Sequence, residues 1–171
     1  MLLVALPVDL SGPPGEAAAM TDSSTSGPGD RPAPFMTRSF VIEWGQCDPA
    51  GIVFAPRYLD MFSESTIRVF EHAGLPPKKR MLAERGVAGY PMVDLACRFL
   101  IPCSYGDEVT VESAAPVFGN SSFSITHRVV KAGRTCVEGT EKRVWAVPDP
   151  DKPGAIRAAR VPDDIRALFV R

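Results

Sequence analysis

A single carboxylate stands in a segment rich in glycine and proline, residues 44–58, which reads Trp-Gly-Gln-Cys-Asp-Pro-Ala-Gly-Ile-Val-Phe-Ala-Pro-Arg-Tyr. This carboxylate, Asp48, precedes the start of a predicted helix by a few residues. A carboxylate can attack a carbonyl carbon directly, or it can deprotonate a water molecule that does so. The first turn of a helix has amide N–H groups without intrahelical partners, and these can stabilise the oxyanion that forms.

Two residues near Asp48 in the sequence favour an arrangement in which its carboxylate and a helix amide face one carbon atom. Because Pro56 cannot donate a hydrogen bond, the backbone amide of Ala55 is the candidate donor to an oxyanion. Gly51 can adopt a positive φ, which lets the loop turn the carboxylate and the amide toward one carbon atom. An aspartate before proline is also a common turn former, so the segment alone leaves a catalytic and a structural role open.

The element that must position this segment is a long helix. Apolar residues recur at three- and four-residue spacing over residues 57–73, which predicts an amphipathic helix bounded by Pro56 and Gly74. Before it, a strand is predicted at 39–44 with alternate residues, the last of them Trp44, on one face. After it, a short helix is predicted at 78–85.

The second half of the chain predicts a sheet. Alternating apolar residues and short turn sequences predict antiparallel neighbouring strands at 92–101, 108–118, 122–131 and 135–147. A weak helix is predicted at 161–169. One apolar helix and one sheet must cover each other, which predicts an α+β domain. The outer face and the edges of such a sheet favour a dimer or larger homo-oligomer.

Composition restricts the class of protein. Residues 1–36 are rich in proline, glycine and serine without apolar periodicity, which predicts a disordered leader before a folded domain at 37–171. The net charge of −1 and the absence of a basic run argue against a nucleic-acid partner. No apolar run is long enough for a membrane span. The four cysteines lack zinc or disulfide spacing, so we expect reduced thiols in a cytoplasmic protein.

The segment from Trp44 to Phe54, followed by Pro-x-Tyr, resembles the signature of the 4-hydroxybenzoyl-CoA thioesterase family. The resemblance continues through residues 73–77, 84–86 and 104–107 and spans nearly all of 38–147. It implies a hotdog fold, in which a five-stranded antiparallel sheet wraps around one long helix. It also implies hydrolysis of acyl-CoA thioesters, a dimer or tetramer, and neither a metal nor an organic cofactor. In this family Asp48 would be the nucleophile or general base, and the Ala55 amide would polarise the thioester carbonyl.

The resemblance also suggests a substrate pocket. Positions that shape the acyl pocket in the family are occupied here by Ser63 and Tyr90, while Phe54 and Tyr58 flank the helix start and are further candidates. We expect an aromatic acyl group, benzoyl-like or hydroxybenzoyl-like. Two alternatives stay open: a thioesterase for short- or medium-chain aliphatic acyl-CoA, and a hotdog module that binds acyl-CoA without cleaving it.

Other charged residues are candidates for binding or catalysis. The family's basic cluster for the CoA nucleotide falls on uncharged residues 119–121, so the phosphates would instead meet Arg128, Lys131 or Arg134, which can equally be solvated surface cations. Related hotdog enzymes use a helix glutamate, which makes Glu64 a possible auxiliary carboxylate. Its spacing from the arginine at position 68 also predicts a surface salt bridge. The histidine at position 127 is expected to pack, or to bond a neighbouring hydroxyl.

Overall fold

A computed structural model describes residues 33–170, so most of the predicted leader lies outside the described residues. Strand β1 (Met36–Val41) begins three residues earlier than predicted. Met36 is buried, and the ring of Phe35 packs against Phe169. The last residues assigned to the leader therefore belong to the core.

The strand prediction is wrong at its other end. Trp44 lies in a short 3₁₀ turn, Trp44–Gln46, and is 78% exposed. The reason is local, because the side chain of Gln46 accepts a hydrogen bond from the backbone amide of Glu43 (2.7 Å) and turns the chain away from the sheet.

The predicted long helix is confirmed as α1 (Ala55–His72), with a proline in its first turn. It ends before Gly74, whose φ of +103° is a conformation that favours glycine. The buried residues of α1 form one stripe: Tyr58, Met61, Phe62, Ser65, Thr66, Val69 and Phe70. A second helix, α2 (Lys78–Arg85), has the predicted bounds.

The remaining elements are strands and one short helix. They are β2 (Met92–Phe99), β3 (Glu108–Ser113), β4 (Val117–Phe118), β5 (Ser122–Lys131), β6 (Arg134–Val144), β7 (Ala146–Pro148), β8 (Ile156–Ala158) and α3 (Asp163–Ala167). The main sheet has the order β1-β3-β5-β6-β2, with β4 added against β5, and every pairing is antiparallel. Six strands therefore replace the predicted five, since Pro116 interrupts the strand predicted at 108–118.

One predicted pairing is wrong. The short turn at 105–107 does not join neighbouring strands, because β2 pairs with β6 at one edge of the sheet and β3 lies beside β1 at the other. Residues 100–107 therefore carry the chain past two strands. Turn composition shows where a chain reverses but not which strands it joins.

The two faces of the sheet differ in chemistry. The inner face packs on α1, where Phe123 of β5 and Trp145 contact Phe70 of the helix. The outer face carries a row of alternating charges across four strands: Glu112, Arg128, Glu138 and Arg98. The edge strand β2 exposes two apolar side chains, Val93 and Phe99. None of the helices in residues 33–170 combines the length and apolar character of a membrane span.

Gly139 of β6 provides a test of the packing between α1 and the sheet. A Cβ at this position would lie 2.5 Å from Cε2 of Phe62, which is fully buried, and 3.1 Å from the sulfur of Cys97. We expect Gly139→Ala to lower the free energy of unfolding by roughly 1–3 kcal/mol through overpacking, measured by chemical denaturation. Gly45→Ala is the matched control, since a Cβ there meets nothing within 4 Å. Equal stability of the two variants would contradict the packing described here.

Candidate functional site

The loop that contains Asp48 is closed by short backbone hydrogen bonds. The amide of Phe54 donates to the carbonyl of Gln46 (2.9 Å), and the amide of Asp48 donates to the carbonyl of Ile52 (2.9 Å). Gly51 lies at the tip with a φ of +79°, the positive value that its position predicted. The loop is therefore a small hairpin that holds Asp48 at a fixed place before α1.

The two carboxylate oxygens of Asp48 have different surroundings. Oδ1 accepts a hydrogen bond from the amide of Ala50 (2.8 Å), which fixes the side chain. Oδ2 accepts no hydrogen bond from any residue in 33–170. One oxygen thus orients the carboxylate, and the other remains available for chemistry.

The start of α1 presents one free donor close to this carboxylate. The amide of Phe54 is already bonded, Pro56 has no N–H, and the amide of Arg57 donates to the carbonyl of Phe54 (2.8 Å). Within the described part of the chain, the amide of Ala55 has no acceptor. It is therefore the free N–H at the positive end of the helix dipole, where an oxyanion would be stabilised.

Asp48 and Ala55 line the same cavity, which has a volume of about 530 Å³. The predicted pocket residues Phe54 and Tyr58 line it as well. The rest of its wall is almost entirely apolar: Ile52, Val53, Phe99, Leu100, Ile101, Pro102 and Val137. A carboxylate and a free amide thus face an apolar cleft, which is the arrangement that hydrolysis of a bound acyl ester requires.

The far side of the loop is attached to residues 102–104. The amide of Val53 donates to the carbonyl of Cys103 (2.8 Å), and Ile52 forms a β-bridge with Ser104. The amide of Cys103 also donates to the hydroxyl oxygen of Tyr58 (3.3 Å). Burial raises the pKa of Tyr58 above its usual range, so this phenol remains neutral in the cavity wall.

The other two predicted pocket residues lie elsewhere in this chain. The hydroxyl oxygen of Ser63 accepts a hydrogen bond from Nη2 of Arg143 (2.8 Å). Tyr90 is buried and stacks on Phe70 with ring centroids 4.7 Å apart. Neither residue lines the cavity that contains Asp48, so their part in an acyl pocket stays a prediction.

The candidate CoA-binding cations do not line the cavity either. Arg128 pairs with Glu138 (3.0 Å), and Lys131 pairs with Asp107 (2.7 Å). Arg134 is exposed at the turn between β5 and β6. Two of the three cations are therefore already engaged with carboxylates of this chain.

Glu64 faces a different groove from Asp48. It pairs with Arg68 (2.9 Å), which confirms the predicted surface salt bridge. The groove it lines has a volume of about 440 Å³ and also contains Arg38, Arg57 and Asp60. Glu64 is thus separated from the cavity where Asp48 and the Ala55 amide converge.

A buried polar network that the sequence indicated only through its histidine links α1 to the sheet. Nδ1 of His127 bonds the hydroxyl of Ser113 (2.9 Å), and Nε2 bonds the hydroxyl of Thr66 (3.0 Å). Thr66 donates to Glu141 (2.7 Å), and Nε of Arg143 donates to the same carboxylate (2.7 Å). Burial alone would raise the pKa of Glu141, but the nearby His127 ring (Nε2 to Oε2, 3.8 Å) and hydrogen bonds from Arg143 and Thr66 outweigh it and lower that pKa to about 2.

The chain is similar to known thioesterases. A family model described as the thioesterase-like superfamily matches residues 42–169. A 4-hydroxybenzoyl-CoA thioesterase from Pseudomonas sp. (strain CBS-3) is 34% identical over 128 residues, covering 72% of this chain and 89% of that protein.

Solved structures extend the likeness to three dimensions. One is an aspartate-to-asparagine mutant of 4-hydroxybenzoyl-CoA thioesterase complexed with 4-hydroxybenzoyl-CoA, with a TM-score of 0.72 and 31% identity over 79% of this chain and 98% of that chain. Another is a gentisyl-coenzyme A thioesterase, with a TM-score of 0.65 and 27% identity over 78% and 98% of the two chains. These likenesses confirm the predicted hotdog fold.

The buried network gives a prediction about acid stability. The unfolded chain takes up a proton at Glu141 near its ordinary pKa of 4.5, whereas the folded chain stays ionised down to about pH 2. Ionised Glu141 therefore stabilises the fold above pH 4.5, and acid removes that contribution. We expect Glu141→Gln to cost roughly 3–5 kcal/mol near neutral pH, because it leaves Arg143 buried without its partner.

The cost of Glu141→Gln should shrink by roughly 1.4 kcal/mol per pH unit between pH 4.5 and pH 3. Urea unfolding of both proteins across this range measures the difference. A difference that does not change with pH would contradict the assigned charge state of Glu141.

Proposed function

We propose that this chain, which belongs to the thioesterase-like superfamily, hydrolyses an aromatic acyl-CoA to the free acid and coenzyme A. The observation that carries the proposal is the convergence of the Asp48 carboxylate and the free Ala55 amide on one apolar cavity. The related thioesterases act on CoA esters of 4-hydroxybenzoate and gentisate, which are both aromatic acids.

In the general-base form of the mechanism, Oδ2 of Asp48 takes a proton from a water molecule as the water oxygen bonds to the thioester carbon. The carbonyl oxygen becomes an oxyanion and accepts a hydrogen bond from the Ala55 amide. When the tetrahedral intermediate collapses, the C–S bond breaks and the electron pair leaves with sulfur. The CoA thiolate then takes up the proton from Asp48.

In the nucleophilic form, Oδ2 of Asp48 itself bonds to the thioester carbon and expels the CoA thiolate. The product is a mixed anhydride on Asp48, which water hydrolyses to release the acid and regenerate the carboxylate. Both forms need the same two groups, a carboxylate with one free oxygen and an amide without an acceptor. The geometry supports both forms equally.

The cavity wall supports an acyl group with a large apolar surface. Among the lining residues within 33–170, the only polar side chains are those of Asp48 and Tyr58, and the Tyr58 oxygen already accepts the hydrogen bond from Cys103. A flat aromatic ring buries well against Phe99 and Val137. The same wall would also hold an aliphatic chain, which is why a panel of acyl groups must precede the mutant experiments.

We also propose that the chain forms a homo-oligomer through β2. This edge strand pairs only with β6 among the described strands, so its other side presents unpaired backbone groups. Val93 and Phe99 are 58% and 55% exposed on this strand. A second copy of β2 would satisfy the backbone groups and bury the apolar side chains.

The free cysteines support the expected cytoplasmic location, since disulfides persist mainly in oxidising compartments.

Replacement of Asp48 tests the proposed function. Thiol release from benzoyl, hydroxybenzoyl and medium-chain aliphatic CoA esters first identifies the substrate with the highest kcat/KM, and we expect an aromatic one. On that substrate, Asp48→Asn should lower kcat at least ~10²-fold with little change in KM, because the variant can neither attack nor accept a proton. Asp60→Asn, at an exposed position on α1, is the matched control.

Three outcomes would contradict this function. An aliphatic ester as the best substrate would replace the aromatic assignment. Wild-type kcat in Asp48→Asn would remove the catalytic role of that carboxylate. Tight binding of acyl-CoA without cleavage by the wild-type protein would identify a binding module rather than an enzyme.

The oligomer is tested by a charge on the edge strand. We expect Val93→Lys to raise the dissociation constant of the oligomer at least ~10-fold, because a lysine on an edge strand opposes pairing with another strand. Val117→Lys is the matched control, since Val117 is 74% exposed on β4, away from β2. Sedimentation equilibrium measures both. Identical association of the two variants would argue against the β2 interface.

A further inference from the structure

Lys131 makes two contacts with the segment that links β2 to β3. Its Nζ donates to Oδ2 of Asp107 (2.7 Å) and to the carbonyl of Pro102 (3.2 Å). The same Asp107 oxygen accepts a hydrogen bond from the amide of Ser104 (2.7 Å). Residues 102–107 are thus folded around one carboxylate and tied to the end of β5 by one cation. We call these contacts the clasp.

The clasp holds the segment to which the Asp48 loop is attached. Within it, the carbonyl of Cys103 accepts the amide of Val53, and Ser104 bridges Ile52. The amide of Cys103 also bonds the hydroxyl of Tyr58. Ile52, Val53 and Tyr58 all line the cavity. A shift of residues 102–104 would therefore move the loop and one wall of the cavity together.

We propose that Lys131 and Asp107 are positioning residues, which fix residues 102–104 and through them the Asp48 loop in the geometry that hydrolysis needs. This inference rests on the proposed function. Neither residue touches the cavity, so both act through the segment they hold. In this role Lys131 supports residues 102–104 and does not contact a CoA phosphate.

The exposure of the pair indicates a local effect rather than a global one. The side chains of Lys131 and Asp107 are 29% and 26% exposed, so water screens their attraction and the pair adds little to overall stability. The hydrogen bond from Lys131 lowers the pKa of Asp107, and the hydrogen bond to Asp107 raises the pKa of Lys131. Both groups therefore stay charged at neutral pH. The pair should affect the reaction rate more than the stability, because displacing a catalytic group by about 1 Å can lower the rate ~10²-fold.

A second ion pair on β5 provides a matched control. Arg128 and Glu138 are 3.0 Å apart with side-chain exposures of 29% and 39%, close to those of the clasp. This pair lies on the outer face of the sheet and contacts no residue of the Asp48 loop or of 102–107. Glu138→Gln thus removes a comparable charge without touching the site, and it is compared with Asp107→Asn.

The experiment measures steady-state kinetics, thermal unfolding and hydrogen exchange for Lys131→Met, Asp107→Asn, the double variant and Glu138→Gln. We expect each clasp variant to lower kcat at least ~10-fold with KM changed less than ~3-fold. The double variant should be no slower than the slower single variant, because the two residues act as one unit. Lys131→Arg, which keeps the charge, should recover part of kcat. Glu138→Gln should stay within ~2-fold of wild type.

Hydrogen exchange provides a readout that does not depend on activity. The amide of Val53 should exchange at least ~10-fold faster in both clasp variants and at the wild-type rate in Glu138→Gln, because the loop loses its support. If the wild-type protein cleaves no acyl-CoA, the proposed function fails, and this exchange measurement still tests the clasp.

Three results would overturn the inference. A higher KM in Lys131→Met with unchanged kinetics in Asp107→Asn would show that Lys131 meets the substrate's phosphates directly. Unchanged hydrogen exchange at the Val53 amide in the clasp variants would show that the pair is only a surface salt bridge. The same conclusion would follow if activity fell in proportion to the thermal midpoint in every variant, Glu138→Gln included.

Discussion

The backbone closure between Gln46 and Phe54 is the constraint on which the candidate site depends. Because the amide of Phe54 is bonded back to Gln46, the amide of Ala55 follows as the first free donor of α1. The same closure holds Asp48 opposite Ile52, so the carboxylate cannot move away from the helix start without breaking the hairpin. A glycine with positive φ and a proline without an N–H are the chemical requirements of this arrangement, and the chain supplies them as Gly51 and Pro56.

The rest of the domain keeps both sides of that hairpin in place. On one side, α1 is anchored by its apolar stripe and by a buried network in which His127 and Glu141 bond Thr66. On the other side, residues 102–104 receive the loop through Val53 and Ile52. The cavity lies where these supports meet, and the edge strand β2 contributes Phe99 to its wall. Fold and site are therefore linked through a few contacts rather than through the sheet as a whole.

The features that the sequence predicted correctly are governed by neighbours in the chain. Helix α1, the conformation of Gly51 and the free Ala55 amide all follow from local periodicity, glycine and proline. The features it missed depend on residues far apart in sequence. The placement of β2 beside β6, the cavity wall at Phe99–Pro102 and the pairing of Lys131 with Asp107 require the strand order, which no local pattern contains. Trp44 is an exception, because its misprediction has a local cause. The hydrogen bond from the Glu43 amide to the Gln46 side chain turns the chain where alternation predicted a strand.

The most direct test of this account is a crystal structure of the Asp48→Asn variant with its best acyl-CoA substrate bound. We expect the thioester oxygen to lie within hydrogen-bond distance of the Ala55 amide, about 2.7–3.2 Å, with the side chain at position 48 facing the thioester carbon and the acyl group against Phe99. An acyl group bound instead in the groove beside Glu64, or a thioester oxygen turned away from α1, would contradict it.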